Sequence, residues 1–199
     1  TDFSDCARAA ENLALDLAKK ANAEIHFLHI FNSPFDWVKL PLEKEKLYPE
    51  IKHEFLKAER ELNNLVKKAT NKGLKVSQFL TFNKGREEID KHIKEHEHDF
   101  IIMGSHGAKG AKVIIGSNTQ KVVRYSNQPV LVVREDHKKL KVKNIVFASN
   151  FEEDVHISFK KIIEFADLLG ASVHLLYVNT PFNFKETDEA ETTIRQFLK

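Results

Sequence analysis

The sequence holds a single cysteine, Cys6, in 199 residues, so no disulfide can form within the chain and a reducing, cytosolic setting is expected. It has no run near the roughly 18 apolar residues that a spanning helix needs. The basic, apolar and small-residue series of a secretory signal is absent from its N-terminus. A charge excess is missing too: 31 Lys and Arg against 29 Asp and Glu leave +2. That balance gives no support to bulk binding of nucleic acid or an anionic membrane, and neither partner is expected. The only methionine is Met103, so the chain is expected not to start at its natural first residue. What remains is ordinary globular material, 42% apolar and 30% charged, long enough for one domain or two small ones with a sizeable core.

Hydrophobic periodicity orders the chain. Residues 4–20 read as a helix, capped by Ser4 with Asp5 in its first turn, and with Cys6, Ala10, Leu13 and Leu17 at helical spacing. Residues 25–31 are a nearly continuous apolar strand, ended by Asn32-Ser33-Pro34. Residues 35–44 read as a loop. Leu47, Ile51, Phe55, Ala58, Leu62, Leu65 and Ala69 then form one stripe on a long helix, stopped at Asn71-Lys72-Gly73. A weak strand follows over 74–82, then a short helix after Gly85 that carries Ile89 and Ile93. Asp99 to Met103 is a buried-type strand leading into Gly104-Ser105-His106-Gly107, a helix starts at Ser117 and ends near Ser126-Asn127, and Pro129 to Val133 is a strand. Strands alternating with helices define an α/β, doubly wound (Rossmann-like) parallel sheet.

The last sixty or so residues repeat the first thirty-five. At an offset of 148, Thr1-Asp2-Phe3 falls on Ser149-Asn150-Phe151, Ala18 on Ala166, Ala23 on Ala171, His26 on His174 and Leu28 on Leu176. One gap later, Asn32-Ser33-Pro34-Phe35 falls on Asn179-Thr180-Pro181-Phe182. The second copy is preceded by a strand, Asn144 to Ala148. The first copy starts where such a strand would end, so its opening strand is expected to be missing, with an empty slot mid-sheet that leaves ladder groups of two neighbours unpaired. The expected organisation is a first domain over 1–136, a basic linker over 137–143, and a partial strand–helix–strand repeat over 144–199. A dimer, by strand exchange or by pairing of the 129–133 edges, would relieve the deficit.

Ligands of open α/β sheets sit at the carboxyl ends of strands. Two segments converge there, Thr1-Asp2-Phe3-Ser4 and Met103-Gly104-Ser105-His106-Gly107, and Gly116-Ser117-Asn118 follows at a helix start. Glycines admit close approach of phosphate oxygens, and a helix N-terminus favours an anion. The same glycines would also serve simple strand-to-helix turns.

Together with Pro129-Val130-Leu131-Val132-Val133, these motifs resemble the universal stress protein (UspA) family, across the whole chain and in its tandem form. The resemblance implies a five-stranded parallel fold that dimerises, and a stress-responsive, cytoplasmic module that binds ATP, or AMP, with Mg²⁺ on the phosphates and without strong catalysis. It implies that Asp2 contacts adenosine, that the backbone at Ile30 meets adenine, and that Met103, Gly104, His106, Gly107, Gly116, Ser117 and Asn118 line the phosphate and ribose site. The sequence departs from the family's G-x2-G-x9-G-[S/T], since eight residues, not nine, separate Gly107 from Gly116. Asn150 stands at the Asp2 position of the second copy. The alternative is a dimerisation or partner-binding protein of the same fold that takes no nucleotide. No enzyme signature is present.

Other residues carry blander readings. His92, His96 and His98 form H-x3-H-x-H near a helix end, and two of them four apart could hold zinc. Lys94, Glu95 and Glu97 around them favour a polar helix face, and no metal is expected. His26 and His29 have opposite strand parity and read as satisfied core or interface histidines. No partner for Cys6 can be assigned, which argues against a nucleophile.

Overall fold

The structure, a computed structural model, describes residues 1–33, 36–82, 86–106, 115–134, 141–151, 155–182 and 184–199. The chain forms two compact units, Thr1–Leu140 and Lys141–Lys199. The expectations placed on Pro34, Gly85, Gly107 and the linker residues 137–140 lie outside the described residues.

In the first unit, helix α1 (Asp5–Ala21) begins where extended Ser4 accepts the Ala7 N–H on its hydroxyl, and ends on Asn22 in the left-handed region at φ 50°. Strand β1 (Ile25–Phe31) follows, then a 3₁₀ turn (Trp37–Lys39), the short helix α2 (Leu42–Glu45) and the long helix α3 (Pro49–Asn71). Strand β2 (Val76–Phe82), helix α4 (Arg86–His96), strand β3 (Ile101–Gly104), helix α5 (Ser117–Tyr125) and strand β4 (Val130–Val133) complete it.

Two expectations need correction. The span 35–44 is not simply loop. Asp36 caps the 3₁₀ turn, and Trp37, buried, lies 6.2 Å between ring centroids from Phe55. The long helix starts at Pro49, which suits the first helical position, and Leu47 is therefore off its stripe and 71% exposed. The rest of the stripe holds, with Ala58, Leu62, Leu65 and Ala69 all buried.

Strand β1 pairs in parallel with β2, from Ile25 opposite Val76 to Phe31 opposite Phe82. Strand β3 pairs in parallel with β4, from Ile101 opposite Val130 to Gly104 opposite Val133. Among the described residues neither pair is hydrogen-bonded to the other. Helix α1 packs on both. Its Leu15 and Ala18 join Ile25, Phe27, Leu62, Leu65 and Ala69 in the main core, while Ala9 and Ala10 pack on Val133 with Ile102 and Leu131 beside them. Burying a leucine such as Leu15 or Leu62 contributes roughly 1.5–3 kcal/mol, so this helix does much to bind the two strand pairs into one unit.

The second unit is a β–α–β–α arm: β5 (Asn144–Ser149), α6 (His156–Leu169), β6 (Ser172–Tyr177) and α7 (Thr187–Phe197), with β5 parallel to β6. Phe151 and Phe197 are buried, and Phe147, Phe159 and His156 ring Phe197. No described helix is long and apolar enough to cross a membrane.

Candidate functional site

Three segments of the first unit meet at the carboxyl end of β3. Gly104 ends that strand, and a Cβ added to it would lie 2.9 Å from the Cys6 carbonyl carbon and 3.0 Å from the Ala7 nitrogen. Only glycine lets the first turn of α1 rest directly on the strand. Ser105 is next. Its N–H donates to the Val133 carbonyl and its own carbonyl accepts the Gly116 N–H, both at 2.8 Å, which brings the start of α5 to the strand end. The Thr119 hydroxyl donates to the Gly104 carbonyl at 3.0 Å and locks the first turn of α5 in place.

Gly116 has φ −59° and ψ 148°, open to any residue, so its freedom is not conformational. A Cβ there would come within 3.2 Å of His106 Cα, so the glycine lets the His106 backbone pack closely on the start of α5. Among the described residues no side chain caps α5, and Ser117 and Asn118 in its first turn are exposed.

Asp2 is exposed, and its carboxylate accepts the Ser4 N–H at 3.1 Å. Thr1 is tied to β1 from both sides: its amino nitrogen donates to the Leu28 carbonyl at 2.7 Å, and its carbonyl accepts from His29 Nδ1 at 2.8 Å. Asp2 therefore sits beside the half of β1 that carries Ile30, which is half-buried opposite Thr81. The Thr81 hydroxyl is buried and has no hydrogen-bond partner among the described residues. Met103 is half-buried on β3 opposite Val132. Gly107, with residues 108–114 of its loop, lies outside the described residues. His29 is a satisfied histidine, with burial as the main cause that pushes its pKa below the usual range and with its ring 4.6 Å from that of Phe3.

His106 has partners that sequence reasoning did not assign. Its Nδ1 lies 3.1 Å from the Ser105 hydroxyl and its Nε2 lies 3.4 Å from Cys6 Sγ. Cys6 is only 2% exposed, so this contact braces the turn and presents no thiol to solvent.

A second constellation lies on the other face of β1. His26 faces away from the Ile25 and Phe27 side and meets His92 of α4 and His98 of the turn after it. Glu97 adopts φ 51°, which turns His98 back onto the sheet. Burial, then the neighbouring rings, lowers the pKa of His92 to about 4, and burial lowers that of His98. His26 thus has partners on both ring nitrogens, Glu24 on one side and His92 and His98 on the other. The signal was Glu24 two residues before it, on the same strand face, but its histidine partners lie some seventy residues downstream.

A unit of parallel strand pairs covered by helices, in which the end of β3 meets the start of α5, has the Rossmann-like α/β fold class. The comparisons make the class specific. The model of the universal stress protein family matches residues 1–134, and the chain belongs to that family. It is 31% identical over 147 residues to universal stress protein MJ0577 of Methanocaldococcus jannaschii, covering 67% of this chain and 91% of that one. It is 33% identical over 142 residues to universal stress protein YxiE of Bacillus subtilis, covering 67% and 94%. The solved structure of MJ0577 superposes with a TM-score of 0.54 at 32% identity over 67% of this chain and 91% of that chain. A universal stress protein from Archaeoglobus fulgidus has the same fold along all of this chain, with a TM-score of 0.67 at 18% identity over 71% of its own length.

Proposed function

We propose that the first unit is an adenine-nucleotide-binding module, taking ATP or AMP, that senses and does not turn over its ligand. The observation that carries this reading is the bond from the Gly116 N–H to the Ser105 carbonyl, which holds an uncapped helix start against the glycine-ended strand β3. Residues there fit a nucleotide. The Ser117 and Asn118 N–H groups at the start of α5 would take phosphate oxygens. Asp2 would accept from a ribose hydroxyl or base amine, and the lone Thr81 hydroxyl supports a polar group near Ile30. Magnesium would sit on the phosphates and not on a protein cage. His106 stands beside the helix start with its ring engaged by Ser105 and Cys6, so ATP hydrolysis is expected to be slow.

A second reading has its own observation: His106 turns in toward Cys6 and Ser105, and the glycine spacing is one residue short. It makes the unit a dimerising, partner-binding protein without nucleotide. Mass spectrometry of small molecules released from natively purified protein, followed by ATP calorimetry, separates the two. Co-purified ATP or AMP supports the first. Absence of the ligand together with no binding heat overturns it.

A further inference from the structure

We infer that His26, His92 and His98 form a binding site for one divalent d-block cation, with Zn²⁺ as the best fit. Three ligand-capable nitrogens lie within 4.8 Å of one another. His26 Nδ1 is 3.3 Å from His92 Nε2 and 3.0 Å from His98 Nε2. A tetrahedral zinc with Zn–N distances of about 2.0–2.1 Å sets its ligand nitrogens about 3.3–3.4 Å apart, so the two edges from His26 already stand near that length and the third, within 4.8 Å, would close on the ion.

Hydrogen bonding alone does not account for the arrangement. His26 Nε2 lies 3.1 Å from the Glu24 carboxylate, which can only accept, so that nitrogen carries the proton and Nδ1 is left with one in-plane lone pair. Two imidazole nitrogens converge on this single pair, and one pair cannot satisfy two donors along its axis. A cation in their midst would accept all three. The Glu24–His26 contact is also the carboxylate-to-histidine pairing that orients metal-bound imidazoles, and Ser77 donates to the same carboxylate oxygen at 3.3 Å. On His98 the remaining nitrogen, Nδ1, is buried without a hydrogen bond of full geometry, with the Ile93 backbone as the acceptor on that side. Three imidazoles suit zinc, nickel or copper over calcium or magnesium.

Three protein ligands leave a fourth position, with exposed His96 beside it, its ring 4.5 Å from that of His92. The site joins β1 to α4 and to the turn leading into β3, so its occupation would tie α4 to the sheet.

The test uses the full 199-residue chain, purified without a histidine tag and stripped with EDTA. Zn²⁺ calorimetry should give one equivalent per chain at micromolar Kd or tighter. Co²⁺ should give the intense visible bands of a four-coordinate site. H92Q and H98Q should each weaken Zn²⁺ binding at least ~100-fold, and E24Q about 10-fold, as expected for an orienting carboxylate. H174Q, at the repeat position of His26, should change nothing. Zn²⁺ should raise the melting temperature of the parent chain and not that of H98Q. Should H92Q not fold, H98Q in the exposed turn decides alone. No binding by the parent chain, or equal binding by parent and H98Q, overturns the site, whatever the outcome with ATP.

Discussion

The segment around α1 and the segment around α6 are two versions of one backbone. Phe3 and Phe151 both take positive φ, 61° and 56°, and their N–H groups donate to the Thr1 and Ser149 hydroxyls at 3.0 and 2.9 Å. Each helix ends on a left-handed residue, Asn22 or Gly170, and each following N–H, from Ala23 or Ala171, returns 2.9 Å to Ala18 or Ala166. The side chains diverge. Asp2 corresponds to Asn150, and His26 in its cluster corresponds to His174, which is exposed and bonded to Asn144 at 3.0 Å. The pairing differs as well: the strand before Ser149 runs beside β6, whereas Thr1 alone reaches β1 on the side away from β2. Turns and caps therefore repeat where chain geometry demands them. The proposed sites join repeated positions, Asp2 and His26, to α4, the Gly104 turn and the start of α5, which have no copy within 144–199.

The strongest way to break this contrast is at Gly104, which has no counterpart in the second unit. Gly104→Val places branched carbons against the Cys6 and Ala7 backbone, which cannot yield without moving α1 off β3. Destabilisation on the order of 3 kcal/mol is expected for overpacking against backbone. In a urea melt, fluorescence from Trp37 should report early unfolding of the first unit. A parent-like midpoint would show that α1 does not need the glycine.

Exchanging the paired polar residues sharpens the comparison. Asp2→Asn should lower ATP affinity about 10–100-fold, the loss expected for a hydrogen bond to a charged group. Asn150→Asp should create no affinity, because the second unit holds no glycine turn within 144–199. Calorimetry of both variants checks this, and a gain in the second would place the site in the repeated turn alone.

The pH dependence of the first unit should follow the histidines packed on His26, which have no counterpart in the second unit. His92, facing His26, His96 and His98, has a folded pKa depressed to about 4 against an ordinary 6.5. The unfolded chain therefore takes the proton first as pH falls. The stability contribution is complete above pH 6.5 and declines down to about 4, moderated by Glu24 at His26 and Asp99 near His98. Urea midpoints of metal-free protein should fall across that window, and H92Q should flatten the fall, whereas H174Q should leave it in place.

Much of this was legible in the sequence because it depends on local rules. The Ser4 cap, the β1 boundaries at Ile25 and Phe31 and the buried face of α3 follow from residue type and spacing. The close packing at Gly104 and Gly116 was legible for the same reason, since glycine marks close approach. Partners distant in sequence were not. Cys6 meets His106 across a hundred residues, and His26 meets His92 across sixty-six. Strand parity showed which face His26 occupies but not which helix covers it. Trp37 was hidden in a stretch with no periodicity, where a single aromatic ring, not a pattern, holds the connection down.

The smallest effect tests whether the two helix ends are equivalent. Gly170 has φ 67° and a Cβ there would meet nothing within 4 Å, so any cost of substitution comes from the backbone alone. Gly170→Ala should cost about 1–2 kcal/mol, the strain of a Cβ in the left-handed region. Gly170→Asn should cost less, since asparagine visits that region and already fills it at position 22 with φ 50°. Conversely, Asn22→Gly should be neutral within a few tenths of a kcal/mol, because lost strain offsets the greater freedom of the unfolded chain. Thermal melts of the three variants give the ranking. If Gly170→Asn proves as damaging as Gly170→Ala, then the two helix ends share a shape but not the balance of forces that produces it.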